Sequence, residues 1–83
     1  MEFNGIRNTI MTMVRDAWDA GQPYKKSKKV AMSLDKCVVT ELTKVNKPKA
    51  LIAQALKDLK ESEDIIEGRT SRMRGWKTLE GNE

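Results

Sequence analysis

The chain has 83 residues, enough for one domain that buries about 60–65% of the surface its unfolded form exposes. With 39% apolar and 34% charged residues, the composition fits a folded, charge-rich domain better than a disordered chain. The formal net charge of +4 favours an acidic partner such as nucleic acid, although many ordinary proteins are equally basic.

The sequence also argues against catalysis. It contains no histidine, which excludes histidine acid–base chemistry and histidine metal sites. The single Cys37 can form neither an intramolecular disulfide nor a zinc cage, and its place on an apolar stripe indicates a small hydrophobe. The five glycines match neither glycine-rich motif that cradles phosphates. We therefore predict no enzyme activity, no cofactor, no metal and no small-molecule substrate.

Targeting signals and domain boundaries are equally limited. No run of apolar residues approaches the length of a membrane span, and the first residues lack the pattern of a secretory signal. We expect no membrane partner and a cytoplasmic location, nucleoid-associated if the source is a prokaryote or a phage. A single domain over 1–83 is expected, with 1–4 and 80–83 frayed.

The first predicted helix runs from Gly5 to Ala20, where apolar residues recur at helical spacing. Asn4 is its expected N-cap, and Gly21 and Pro23 are expected to end it. Its apolar stripe consists of Ile6, Ile10, Met13, Val14, Ala17 and Trp18. We expect the stripe, including Trp18, to be part of the core.

A basic segment follows, from Tyr24 to Lys29, without helical period, and we predict a surface loop. It either clamps phosphates or is simply solvated, and the Tyr24 hydroxyl either bonds a phosphate or packs under the loop. A one-bridge strand is predicted at Val30–Met32. The four cations of the loop are Lys25, Lys26, Lys28 and Lys29.

Two further helices and a hairpin complete the predicted order. Ser33 is the expected N-cap of a second helix ending near Lys44, and Asn46 is the expected cap of a third with Pro48 in its first turn. The apolar stripe of the second helix is Leu34, Cys37, Val38, Leu42 and Val45. That of the third is Ile52, Ala55, Leu56 and Leu59. Strands at 65–67 and 76–79 flank a turn over 68–75 that carries three arginines.

This order, with the pattern L-x-x-L, then I-I-E-G-R, then R-x-R-G-W-K, resembles the winged helix-turn-helix family from Ile6 to Leu79. The resemblance implies a mainly α fold of three helices with a two- or three-stranded wing. It also implies binding of double-stranded DNA, with the third helix in the major groove. Members of such families act as small transcriptional regulators or as replication or excision accessory factors, often as dimers.

The candidate DNA contacts lie on three segments. On the third helix, side chains of the outward face are expected to reach bases or phosphates: Lys47, Lys49, Gln54 and Lys57. On the hairpin, cations are expected on phosphates or in the minor groove: Arg69, Arg72, Arg74 and Lys77. The four lysines of the basic segment are expected to add contacts to the DNA backbone. The acidic residues between Asp58 and Glu67 must then face away from phosphate.

Three alternatives stay open. Trp76 either packs on the third helix, which is favoured, or donates its indole N–H to a phosphate. The chain could also be a protein-interaction module, an adaptor or phage-type inhibitor, that uses the acidic end of the third helix. Met11, beside Phe3 and Ile10, indicates either a homodimer contact or core filling, of which core filling is favoured.

Overall fold

The computed structural model describes residues 2–79, which form three helices followed by one antiparallel hairpin. The helices are α1 (Glu2–Asp19), α2 (Leu34–Lys44) and α3 (Lys49–Glu61), and the strands are β1 (Ile65–Arg69) and β2 (Arg74–Thr78). Helix α1 packs against α3 and β2, while α2 packs against α3. The predicted fold class, mainly α with a small hairpin in a winged helix-turn-helix order, is confirmed, and the sheet has two strands.

Helix α1 begins at Glu2, so the predicted start at Gly5 and the predicted cap at Asn4 are wrong. Glu2 in the first turn complements the positive end of the helix dipole, and Phe3 packs against the core. These two features explain why residues 2–4 are helical. We had expected residues 1–4 to be frayed. Met1 and residues 80–83 lie outside the described residues.

All three helices end in the same way, with a residue in the left-handed conformation. These residues are Gly21 (φ 78°), Asn46 (φ 66°) and Glu63 (φ 63°). In each case the next amide bonds back to a carbonyl of the last turn, as when the Gln22 N–H donates to the Ala17 carbonyl at 3.0 Å. Gly21 therefore ends α1 as predicted. Asn46 ends α2 instead of capping α3, and Pro48 takes the N-cap position of α3.

The core is built from one apolar stripe on each helix and the first residue of β1. Its buried members are Ile6, Ile10, Val14, Leu34, Val38, Leu42, Ile52, Ala55, Leu56, Leu59 and Ile65. The predicted stripe of α3 is confirmed in full. Cys37, expected on the buried stripe of α2, is half-buried, and Val45 is 58% exposed because the helix has already ended there.

The hairpin is longer than predicted because paired glycines continue its ladder. Gly68 lies opposite Gly75 and Arg69 opposite Arg74, so the turn shrinks from 68–75 to 70–73. A Cβ on Gly75 would lie 2.4 Å from the Tyr24 carbonyl oxygen. Because Gly75 has no side chain, the backbone at Tyr24 can approach β2 closely.

The segment between α1 and α2 contains no strand at Val30–Met32, contrary to the prediction. A single parallel bridge joins Lys25 to Ser33 instead. The Trp76 N–H donates to the Tyr24 carbonyl at 2.9 Å, and the Lys25 N–H donates to the Met32 carbonyl at 2.7 Å. The backbone at 24–25 is therefore held between β2 and the start of α2, which leaves no partner strand for 30–32.

Candidate nucleic-acid interface

Two basic segments that are far apart in sequence meet at one place. We call residues Lys25–Lys29 the lysine loop and residues Arg69–Arg74 the wing. The Lys25 amino group donates to the Arg74 carbonyl oxygen at 2.9 Å. Together with the backbone bond from Trp76 to Tyr24, this contact fixes the loop beside the wing. Lys25, Lys26 and Arg74 therefore lie around one cleft.

A cleft of about 380 Å³ separates the loop from the wing. We call it the basic cleft; it is lined by Lys25, Lys26, Ser27, Glu67, Arg74 and Gly75. Within it, the Glu67 carboxylate lies 3.8 Å from the Lys26 amino group and 3.8 Å from the Arg74 Nε. One acid thus faces cations from both segments, an arrangement that nothing in the sequence pattern had indicated.

Arg69 and Arg74 lie on the same face of the hairpin, and Arg74 lines the basic cleft. Arg72 lines a separate cleft beside Gly21 and Met32. Arg69 and Arg74 are directly opposite each other across the two strands, and both are exposed. Like charges at opposed positions of a hairpin repel and lower its stability. Arg72 is exposed in the turn, which is closed by bonds from the Arg72 and Met73 N–H groups to the Thr70 hydroxyl. A bound anion would relieve this repulsion.

Helix α3 presents a surface of small and polar residues to solvent. Its exposed residues include Lys49, Ala50, Ala53, Gln54 and Lys57. Three of these, Lys49, Gln54 and Lys57, are among the side chains that the sequence predicts to contact DNA. The two alanines leave the backbone accessible to a flat or convex ligand.

Two of the nominated lysines do not join this group. Lys47 precedes α3, is half-buried, and lies with its amino group 3.3 Å from the Glu2 carboxylate. Lys77 extends across Gly68, with its amino group 5.3 Å from the centre of the Trp18 ring. Because side chains alternate along a strand, Lys77 faces the opposite side of the hairpin from Arg74. Trp18, expected in the core, is half-buried beneath Lys77.

Two of the acidic residues between Asp58 and Glu67 are paired with α1, whereas Glu67 lies in the basic cleft, contrary to the expectation that all of them face away from phosphate. Arg7 makes close ion pairs with Asp58, at 2.8 Å from Nε, and with Asp64, at 2.6 Å from a terminal nitrogen. These pairs hold two carboxylates away from the exposed face of α3. Glu61 and Glu63 remain exposed.

The large side chains near the lysine loop and α3 pack against protein. Tyr24 is half-buried against the core, and burial raises the pKa of its hydroxyl above the usual 10.0, with smaller contributions from Cys37, Glu41 and Asp16. Trp76 packs against the core and carries the Lys60 amino group 5.4 Å from its ring centre. Packing, the favoured alternative for Trp76, is what the structure has.

The methionines of α1 do not form an exposed apolar patch. Met11 and Met13 are half-buried against the core, as is Phe3, while Ile10 is fully buried. The core-filling interpretation of this segment is therefore the one that the contacts favour.

Among residues 2–79, no group of three or more cysteines and carboxylates is placed to hold a metal ion. In the same residues, none of the three helices is apolar over a length that could cross a bilayer.

Comparison with known proteins adds no relative. The chain matches no protein-family model, and neither a curated protein nor a solved structure is similar to it. The fold and the surface thus define a small helical domain with a basic hairpin, and any function must be argued from its residues.

Proposed function

We propose that this chain binds double-stranded DNA, with α3 in the major groove and with the wing and the lysine loop on the adjacent phosphates. The observation that supports the proposal most directly is the Lys25–Arg74 contact, which joins two basic segments into one surface. Phosphate contacts from several cations supply most of the affinity of such proteins for DNA.

The distribution of charge supports the same proposal. The lysine loop carries four lysines and no acid, and residues 69–74 carry three arginines and no acid. Helix α1, in contrast, carries two basic and three acidic residues. Such a separation of charge orients a protein toward a polyanion and raises the rate of encounter.

Helix α3 would supply the base contacts. The Gln54 amide can bond adenine in a bidentate manner, and Lys49 and Lys57 can reach guanine or a phosphate. Ala50 and Ala53 would allow the helix to approach the floor of the groove. We do not include Lys47 and Lys77 in the proposed DNA-binding surface. Lys47 is paired with Glu2, and the Lys77 amino group lies over the Trp18 ring.

The wing and the loop would grip the backbone on either side. Arg69, Arg72 and Arg74 would contact phosphates or enter a narrow minor groove, and the lysine loop would add further phosphates. In a cell, we propose a cytoplasmic or nucleoid role as a small transcriptional regulator or a replication or excision accessory factor, acting as a dimer or on adjacent sites.

The rival function, a protein-interaction module, receives less support from the contacts. Its expected surface was the acidic end of α3, but Asp58 and Asp64 are engaged by Arg7. The methionines of α1 that could have added an apolar patch pack against the core. We therefore propose DNA binding alone.

The test is fluorescence anisotropy with a labelled random-sequence duplex in roughly 50 and 200 mM salt. With five or six phosphate contacts, log K should fall with log salt with a slope of about −5. The variant Arg69→Gln/Arg72→Gln removes two wing cations that make no ion pair with another described residue. It should weaken binding at least tenfold and reduce the slope by about two.

The matched control is Arg15→Gln on α1, measured beside the single variant Arg72→Gln so that each variant loses one positive charge. Arg15→Gln should change the affinity less than about threefold, because long-range effects between exposed charges are screened. Equal losses in the two variants would indicate a non-specific charge effect. Absence of wild-type binding at the lower salt concentration would reject DNA binding.

A further inference from the structure

Among residues 2–79, Glu67 is the one acid that lines the basic cleft. Its two oxygens face different cations, with Oε1 3.8 Å from the Lys26 Nζ and Oε2 3.8 Å from the Arg74 Nε. A residue that faces Lys26 and Arg74 at once occupies a position to which an anion from outside would also be attracted. The function of this acid is therefore tied to the ligand of the cleft.

We propose that the basic cleft binds one backbone phosphate of duplex DNA in the place now held by the Glu67 carboxylate, so that Glu67 is an internal competitor of the DNA. This inference rests on the proposed DNA binding and names a residue that limits it. The phosphate would lie between Lys26 and Arg74, and the Glu67 side chain would turn away into solvent.

The geometry of the carboxylate indicates that it is easily displaced. Hydrogen bonds between charged nitrogen and oxygen are about 2.7–2.9 Å long, whereas both contacts of Glu67 are 3.8 Å. The side chains of Lys26 and Arg74 are 70% and 66% exposed, so a ligand can reach them without rearrangement of the backbone. Exposed ion pairs of this kind contribute little to stability.

The cleft also offers a phosphate more than it offers a carboxylate. The Ser27 oxygen already accepts the Lys29 N–H at 3.2 Å, which leaves its hydroxyl proton free to donate to a ligand. The planar guanidinium of Arg74 can bond two phosphate oxygens at once. At about 380 Å³, the cleft has room for a phosphate group beside these donors.

Glu67 also reduces repulsion between cations in the protein without DNA. Arg69 and Arg74 repel each other across the wing, and the Lys25 bond brings the lysine loop close to both. The Glu67 carboxylate offsets part of this repulsion when no DNA is bound. A phosphate would take over that role in the complex, and the loop and the wing would stay together.

The experiment measures duplex affinity by anisotropy for wild type, Glu67→Gln and the control Glu63→Gln in roughly 100 mM salt. Glu63 is exposed and lies outside the cleft, so its replacement changes the net charge equally. Glu67→Gln should bind about three- to tenfold tighter than wild type, because a competitor is removed. Glu63→Gln should gain less than about twofold.

The effect of Glu67→Gln is then measured in a protein that also carries Arg74→Gln. The difference between the two effects is the coupling between Glu67 and Arg74. If Glu67 competes at this site, its replacement should gain less than about twofold once Arg74 has been removed. Glu67→Thr, a neutral residue that favours strands, serves as a second variant, and circular dichroism checks that each variant is folded. Tighter binding that depends on Arg74 supports the inference.

Weaker or unchanged binding by folded Glu67→Gln and Glu67→Thr would overturn it, while wild-type binding to DNA would still stand. A gain equal to that of Glu63→Gln, or one that persists without Arg74, would also overturn it. If wild type does not bind the duplex at all, the proposed function fails and this inference fails with it.

Discussion

Tyr24 shows at the scale of one residue how the lysine loop is anchored. Its ring packs against the core while its carbonyl accepts the Trp76 N–H at 2.9 Å. The hydroxyl is half-buried near Cys37, Glu41 and Asp16, where a negative phenolate is disfavoured first by burial and then by these charges. Tyr24 therefore holds the start of the loop and is poorly placed to bond a phosphate.

This environment makes a prediction for alkaline titration. Tyr24 is the only tyrosine, so ultraviolet absorbance of tyrosinate reports this residue alone. The midpoint in the folded protein should lie above 10.0, and unfolding in urea should return it to about 10. Because the folded pKa is raised, the stability that this group contributes is complete below pH 10 and is lost as the pH rises further. A folded midpoint at or below 10.0 would contradict the described burial.

Single residues were the hardest part of the interface to predict. The outward direction of Gln54 and Lys57 follows from helical spacing, and the sequence was sufficient for it. The positions of Lys47 and Lys77 depended on Glu2 and Trp18, which are distant in sequence. The role of Glu67 depended on Lys26, again a tertiary contact that no local pattern contains.

At the scale of elements, the pairing of Gly68 with Gly75 determines how the hairpin packs. A Cβ on Gly75 would lie 2.4 Å from the Tyr24 carbonyl oxygen and 2.8 Å from the Pro23 Cβ. Backbone atoms cannot give way as a flexible side chain can, so the segment before the lysine loop would have to move. The glycine thus maintains the distance between β2 and the loop.

We predict that Gly75→Ala lowers the free energy of unfolding by about 1–3 kcal/mol through this overlap. The control is Gly5→Ala on α1, where an added Cβ would meet nothing within 4 Å. That change should stabilise the protein by up to about 1 kcal/mol, since alanine favours helices. Urea denaturation measures both. A neutral or stabilising Gly75→Ala would show that the close approach of Tyr24 is not required.

Element boundaries were predictable where periodicity alone decides them. The stripe of α3 and the end of α1 at Gly21 follow from the spacing of apolar residues and from one glycine. The start of α1 and the length of the hairpin could not be predicted in this way. Phe3 is helical because it packs against the core, and Gly68 is in a strand because it pairs with Gly75. Packing overrode local preference at both places.

At the scale of the whole molecule, charge is separated by the fold. Lysines after α1 and arginines at the tip of the hairpin come together because the backbone at Tyr24 bonds to β2. Composition predicted the basic excess, but only the tertiary structure shows that two separate segments form one surface. Arg7 binds Asp58 and Asp64 on the other side of α3, which keeps two acids away from its exposed face.

The most direct test of the proposed surface is a map of amide chemical shifts on titration of isotope-labelled protein with a short duplex. Binding as proposed should perturb the amides of the lysine loop, the exposed face of α3 and the wing, and should leave those of the outer face of α1 unchanged. A pattern concentrated on α1, or no perturbation in roughly 50 mM salt, would contradict DNA binding through this surface.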